Sequence, residues 1–278
     1  MIVNPQAERL NDRIARLRML AQAEPRLEGV LLYGSWTMGE ADAYSDIEAY
    51  LYVNDDDAAD FDGRAFVEQL APVKLAYINM YGLLAVVFDD LMRGEFHVEA
   101  AGKGIPEIAS WRGLVHLPEP GAAILLDRHG RLAKATACLT QPCQPEPVQT
   151  AQQIGNELTN WTLALGQILA RGEIARGHAL LHTVIAPQQL QLCRLLRGTT
   201  AHWLTPSRAL EADLPLEDRL RYAATTARLR DEEVRQAAKA SWDWSRELIG
   251  QAVQRWRIVV PESLHDAITE LLDKKESQ

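Results

Sequence analysis

The spacing of apolar residues changes character at a proline-rich segment in the middle of this 278-residue chain. Residues 141–147 (QPCQPEP) contain three prolines, which suit neither a helix interior nor a central strand. Before this segment, short apolar runs bounded by glycine and proline predict strands, whereas long stretches with helical spacing follow it. The sequence therefore predicts an α+β fold, with a mixed sheet domain over residues 1–140 and an all-helical bundle domain over residues 147–278.

The sheet domain is expected to begin with an amphipathic helix over residues 5–24, where apolar residues recur at helical spacing among arginines. A further helix is predicted over residues 63–71, and a turn into a short helix over residues 35–44. Strands are predicted over residues 29–34, 46–53, 74–81, 83–89, 94–100 and 122–127. Helices of the second domain are predicted over residues 148–170, 173–197, 215–229, 231–256 and 261–273.

The charge of the chain excludes one class of partner. It has 29 basic and 38 acidic residues, a formal net charge of −9, and residues 1–140 contribute 13 basic and 21 acidic side chains. A duplex-DNA binder needs a basic face, so no nucleic-acid partner is expected. The sequence also has no secretory signal and no apolar run of about 18 residues, so we expect a cytoplasmic protein without a membrane partner.

Residues 33–48 (YGSWTMGEADAYSDIE) carry the pattern that points to chemistry. Gly34 and Ser35 come where a strand ends and a helix is expected to begin, so backbone N–H groups and the serine hydroxyl could hold a phosphate. Eleven residues after Ser35, Asp46 and Glu48 are two positions apart on the next strand, and their carboxylates therefore project from one face. Paired carboxylates repel unless a cation lies between them, and Mg²⁺ suits oxygen ligands together with substrate phosphates.

Three other residue types could complete such a site. Glu95 is the candidate third carboxylate on a neighbouring strand, with His97 on the same face. In the helical domain, Arg171 and Arg176 could clamp a triphosphate, because arginine binds phosphate through two parallel hydrogen bonds. Each feature alone is also typical of ordinary turns and solvated surfaces; their combination is the specific signal.

The spacing of Gly-Ser and Ser-Asp-x-Glu resembles the nucleotidyltransferase superfamily with the DNA polymerase β-like catalytic fold. Within it, the chain is similar to the lincosamide nucleotidyltransferases, which adenylate lincomycin and clindamycin. The resemblance is carried by the segment from Tyr33 to Glu48 and by the segment from Phe88 to His97 (FDDLMRGEFH). It extends into the helical domain at Arg171-Gly172-Glu173 and at residues 225–229 (TTARL).

The resemblance implies a homodimeric enzyme that uses Mg²⁺ and ATP to modify a small-molecule antibiotic. Asp46 and Glu48 would be the metal ligands, Gly34 and Ser35 would position the β- and γ-phosphates, and Glu95 would be the catalytic base. The superfamily often has aspartate as its second metal ligand, and Glu48 departs from that pattern.

Two alternatives remain open from the sequence. The same nucleotidyl transfer could act on another acceptor, such as an aminoglycoside, although the nearly neutral helical domain (16 basic and 17 acidic residues over 141–278) suits a lincosamide better than a polycation. A nucleotidyltransferase of the toxin–antitoxin type, acting on a partner protein, is the other alternative. Such modules are usually short single domains, and the helical domain argues against this reading.

Overall fold

The computed structural model describes residues 7–142 and 144–274. It divides the chain into two compact units, Met1–Pro142 and Cys143–Gln278, which are called the sheet unit and the helical unit below. Each unit has its own buried apolar core. The mixed sheet followed by helices confirms the α+β fold class expected from the change in apolar spacing.

The sheet unit contains one six-stranded mixed sheet. Its strands are β1 (Leu27–Leu32), β2 (Ile47–Val53), β3 (Val73–Ile78), β4 (Leu84–Phe88), β5 (Arg93–Ala100) and β6 (Ile124–Asp127). They lie in the order β3-β4-β5-β2-β1-β6. The β2–β5 pair is parallel and the other neighbouring pairs are antiparallel. Each strand falls within or next to a run predicted from the sequence, and β3 ends early because a turn at Asn79–Gly82 follows it.

Helices cover both faces of this sheet. They are α1 (Glu8–Ala23), α2 (Gly63–Val67), α3 (Ala101–Glu107), α4 (Pro120–Ala123) and α5 (Arg131–Thr136). The buried face of α1 packs against β1, β2 and β6 and forms the larger core. A smaller core forms between the opposite face of the sheet and α3 and α5. The predicted helix over residues 5–24 corresponds to α1, and residues 5 and 6 lie outside the described part of the chain.

The short helix expected within residues 35–44 does not form. Residues 35–39 instead make hydrogen-bonded turns, and both Gly34 (φ +77°) and Gly39 (φ +72°) take left-handed backbone conformations. The Thr37 hydroxyl also donates to the Gly34 carbonyl over 2.8 Å, which occupies an acceptor that a helix would use. The predicted helix over residues 63–71 likewise shortens to α2, followed by a turn before Pro72.

The helical unit is built from α6 (Pro147–Ala170), α7 (Ile174–Leu180), α8 (Ala186–Arg197), α9 (Leu210–Asp213), α10 (Leu216–Ala224), α11 (Asp231–Trp256) and α12 (Glu262–Asp273). Helices α6, α8 and α11 surround a core that includes the fully buried Trp244. Across residues 7–142 and 144–274, we find no helix whose length and apolarity would let it cross a membrane.

The predicted helix over residues 173–197 is interrupted by a π-helical turn, Leu181–Ile185, between α7 and α8. The cause lies at Pro187, which has no N–H to donate to the carbonyl one turn earlier and whose ring would collide with that carbonyl. One residue of extra winding removes this conflict between the ring and the carbonyl.

Candidate active site

The parallel pairing of β2 with β5 brings the predicted carboxylates together. Glu48 on β2 and Glu95 on β5 are direct partners in the strand register, at the usual strand separation of about 4.8 Å. Asp46 immediately precedes β2, two residues before Glu48, so it extends the same row. The intervening Ile47 is buried in the larger core on the other side of the sheet. Three acidic side chains therefore share one face and one end of the sheet.

Gly34 allows the loop between β1 and β2 to approach Glu48. The Tyr33 N–H donates to the Glu48 carbonyl over 3.2 Å, which holds the start of the loop beside the start of β2. A Cβ atom at position 34 would overlap the Glu48 carboxylate, and the backbone there has φ +77°. Glycine is the residue that meets both conditions without strain. The loop that follows β1 thus lies directly against the carboxylate row.

Ser35 contributes a polar group that the protein itself leaves unused. Its residue surface is only 8% exposed, and its hydroxyl has no hydrogen-bond partner among the described residues. An unpaired buried hydroxyl costs about 1–3 kcal/mol, so a ligand oxygen at this position would recover that free energy. The expected helix start at Ser35 is wrong, because turns follow this residue, and the phosphate role of Gly34 and Ser35 stays a prediction. The unpaired hydroxyl is the feature that fits a phosphate.

Arg93 lies on the same face of β5 as Glu95 and was not singled out from the sequence. Its Nη2 donates to Glu95 Oε1 over 3.1 Å, and its Nη1 lies 3.8 Å from Asp46 Oδ2. The guanidinium therefore bridges two of the three carboxylates. The period-two spacing from Arg93 to Glu95 was the signal that could have identified it.

A group of stacked rings continues the same face beyond the carboxylates. The rings of Tyr50 and His97, which are register partners, stack at 3.8 Å, and Trp111 and Tyr33 lie against Tyr50 at 4.9 Å and 5.3 Å. His97 Nε2 is hydrogen-bonded to the Tyr33 hydroxyl at 3.2 Å. His97 does share a face with Glu95, as expected, but it is hydrogen-bonded to Tyr33.

Burial shifts the pKa values of Tyr33 and His97, and the nearby carboxylates add to the shift at Tyr33. Burial raises the pKa of the Tyr33 hydroxyl strongly, and the negative charges of Glu48, Glu95 and Asp46 raise it further. Burial lowers the pKa of His97 to about 4, so its ring is neutral at neutral pH. The tyrosine therefore keeps its proton, and the positive charge at this end of the sheet comes from Arg93.

The residues present fit a hard divalent cation that is shared with a ligand. Asp46 and Glu48 supply carboxylate oxygens, the donor type that Mg²⁺ prefers. The described residues contain no group of three or more His, Cys, Asp or Glu arranged to hold a metal by themselves. Mg²⁺ usually completes its octahedron with water and substrate phosphates, and the unpaired Ser35 hydroxyl indicates where phosphate oxygens could be accommodated.

The two arginines proposed as a phosphate clamp lie in the helical unit. Arg171 caps the C-terminus of α6, and Arg176 on α7 is paired with Glu173 at 2.9 Å. Residues of this segment, including Glu173 and Arg176, line an open cavity together with Leu229. The hydrogen bond from His178 Nε2 to the Ala227 carbonyl ties the two segments together. Two of the segments that carry the resemblance thus meet within the helical unit, and the phosphate role of the arginines stays a prediction.

Comparison with known proteins supports the reading of the helical unit. Residues 148–271 match a family model described as the C-terminal domain of lincosamide nucleotidyltransferase-like proteins. No curated protein is similar enough to this chain to count as a match.

Nine chains of solved structures also match. One is an aminoglycoside 6-adenyltransferase from Bacillus subtilis, which is 11% identical, with a TM-score of 0.44 and coverage of 94% of this chain and 97% of that chain.

The family match spans nearly all of α6 to α12, the part of the chain where the sequence motifs are sparse. It confirms the resemblance that the motifs of the sheet unit first indicated. The chain is therefore a nucleotidyltransferase in which residues 148–271 match the C-terminal domain of lincosamide nucleotidyltransferase-like proteins.

Proposed function

We propose that this protein transfers AMP from ATP to a hydroxyl group of a lincosamide antibiotic, with Mg²⁺, releasing pyrophosphate and conferring resistance. The observation that carries the proposal is the parallel register of β2 and β5, which places Asp46, Glu48 and Glu95 on one face beside the Gly34–Ser35 loop. The choice of a lincosamide rests on the family match of residues 148–271.

The proposed roles follow from where each side chain lies. Asp46 and Glu48 would hold Mg²⁺, which when bound supplies charge neutralisation for the phosphates. The Ser35 hydroxyl and the backbone at Gly34 would hold the β- and γ-phosphates. Nucleotidyl transfer requires mainly positioning, charge stabilisation and one group to accept a proton, so a short row of carboxylates is sufficient.

Glu95 would act as the general base. Its carboxylate takes the proton from the acceptor hydroxyl, and the oxygen then attacks the α-phosphorus of ATP in line. The bond from the α-phosphorus to its bridging oxygen breaks, and pyrophosphate leaves with that oxygen. Glu95 faces the same side as the proposed metal ligands, as this transfer requires.

The decisive experiment for this function is mass spectrometry of candidate acceptors after incubation with ATP and Mg²⁺. Lincomycin and clindamycin should each gain the mass of one AMP group, and omission of Mg²⁺ should prevent the gain. A panel of aminoglycosides serves as the comparison. AMP transfer to aminoglycosides alone would refute the lincosamide assignment while keeping the nucleotidyl transfer.

Substitutions in the carboxylate row test the roles of its members. We expect Asp46→Asn or Glu48→Gln to abolish transfer, and Glu95→Gln to lower kcat by roughly 10²–10⁴-fold with little change in nucleotide affinity. The measurements are steady-state kinetics and binding of a non-hydrolysable ATP analogue. Asp56→Asn, in an exposed loop, is the matched control and should keep wild-type turnover. Near-normal turnover of Glu95→Gln would remove the base assignment.

A further inference from the structure

Arg93 pairs with carboxylates that the proposed reaction needs for other purposes. Its guanidinium hydrogen-bonds Glu95 and lies near Asp46, so it occupies the space in front of both. Those oxygens are the proposed sites for a metal ion and for the acceptor proton. Arg93 and the incoming ligands therefore compete for the same lone pairs.

The contacts of Arg93 suit a temporary partner. Its side chain is 62% exposed, and among residues 7–142 and 144–274 it pairs with these two carboxylates. Exposed ion pairs of this kind contribute only about 0–1 kcal/mol, so a divalent cation can displace the guanidinium at small cost. Glu95 and Asp46 are themselves less exposed, at 27% and 28%, so water solvates their charges less well when Arg93 moves away.

The displaced guanidinium would then lie beside an incoming triphosphate. It sits on a long side chain on the face that also carries Glu95, next to the row that adjoins the Gly34–Ser35 loop. Arginine binds phosphate oxygens through two parallel hydrogen bonds, whereas its contacts with the carboxylates here are one hydrogen bond to Glu95 and a 3.8 Å separation from Asp46.

We propose that Arg93 has two successive positions: it bridges Asp46 and Glu95 while the site is free of metal, and it binds the triphosphate of the nucleotide once a metal ion held by Asp46 and Glu48 has displaced it. In the first position it relieves repulsion within the carboxylate row. In the second it stabilises the charge that develops on the leaving pyrophosphate. This inference rests on the proposed function, because it assigns Arg93 to the same site.

The test uses the full-length protein and Arg93→Gln, with Arg64→Gln as the matched control. Arg64 is equally exposed (62%) and is likewise paired with one glutamate, Glu68, at 2.8 Å, but it lies on α2. Binding of Mn²⁺ without nucleotide, followed by electron paramagnetic resonance, should become tighter by up to roughly fivefold in Arg93→Gln because the competing exposed ion pair is gone. Affinity for a non-hydrolysable ATP analogue with Mg²⁺ should fall by roughly tenfold or more. Arg64→Gln should change neither value.

Arg93→Lys separates the two positions. Lysine restores a positive charge near the carboxylates but lacks the planar fork, so Mn²⁺ affinity should return toward the wild-type value while nucleotide affinity stays low. Unchanged Mn²⁺ binding in Arg93→Gln would overturn the first position, and unchanged nucleotide binding would overturn the second. Neither measurement uses an acceptor, so both test the proposed positions of Arg93 even if no lincosamide is adenylated.

Discussion

At the scale of single residues, the site depends on the absence of a side chain at Gly34. The Glu48 carboxylate occupies the space where a side chain at position 34 would lie, and the left-handed backbone there is unfavourable for other residues. Ser35, next along the chain, is buried with its hydroxyl unpaired. Adjacent residues thus provide space and a free donor at the same point of the site.

Gly34→Ala should disable the site through Glu48. The new methyl group would have to displace the Glu48 carboxylate, so we expect loss of AMP transfer as well as lower thermal stability. Gly39→Ala is the control, since Gly39 also has positive φ (+72°) but a Cβ there meets nothing within 4 Å. It should cost only the backbone strain, about 1–2 kcal/mol, and keep its activity. Equal losses of activity in the two variants, measured by kinetics and thermal unfolding, would contradict this account.

At the scale of elements, the β2–β5 pair organises both the carboxylates and the rings. Because the two strands are parallel and in register, Glu48 pairs with Glu95 and Tyr50 pairs with His97 on the same face. The stacked Tyr50 and His97 rings lie between the carboxylates and the buried Tyr52, which belongs to the smaller core. The ring group therefore joins the site to the packed part of the sheet.

The buried His97 makes stability depend on pH in a defined window. Its pKa is about 4 in the folded protein and 6.5 for an unperturbed histidine, so only the unfolded chain binds this proton between those values. Stability should therefore fall as pH drops from about 6.5 to about 4, by at most about 3 kcal/mol from this group. His97→Gln should flatten this part of the curve in denaturant unfolding between pH 7 and pH 4. An equally steep curve in the variant would assign the loss to other groups.

At the scale of the whole molecule, the candidate functional residues are divided between two compact units. The sheet unit contains the carboxylate row and the loop with the unpaired hydroxyl. The helical unit contains residues 148–271, which match the family model, and the cavity lined by Glu173, Arg176 and Leu229. Each unit buries a large apolar core of its own.

We expect residues 143–278 to fold when produced alone. Their core is formed by α6, α8 and α11 and buries many apolar side chains within the unit, which is the requirement for an independent domain. Far-ultraviolet circular dichroism should give a helical spectrum and a single cooperative thermal transition. A non-cooperative melt, with tryptophan fluorescence typical of exposed indole, would contradict the expectation.

The local elements were largely predictable from the sequence, and the reasons are local. The spacing of apolar residues identified the strands β1 to β6 and the long helices of the helical unit, since burial of one face imposes the period. The failures also have local causes. Positive φ at Gly34 and Gly39 turned an expected helix into turns, and Pro187 introduced a π-helical turn into a predicted continuous helix.

The sequence by itself determined which residues could do the chemistry, because Asp46 and Glu48 must share a face on a strand and Gly34–Ser35 must follow one. Tertiary structure decided which other residues they contact. The partnership of Glu48 with Glu95 depends on β2 and β5 pairing in parallel across 46 intervening residues, and no local pattern specifies that register. The bridge made by Arg93 and the Tyr33–His97 hydrogen bond follow from the same pairing. Long-range packing of the sheet therefore assembles the site, whereas the sequence identifies only the candidate residues.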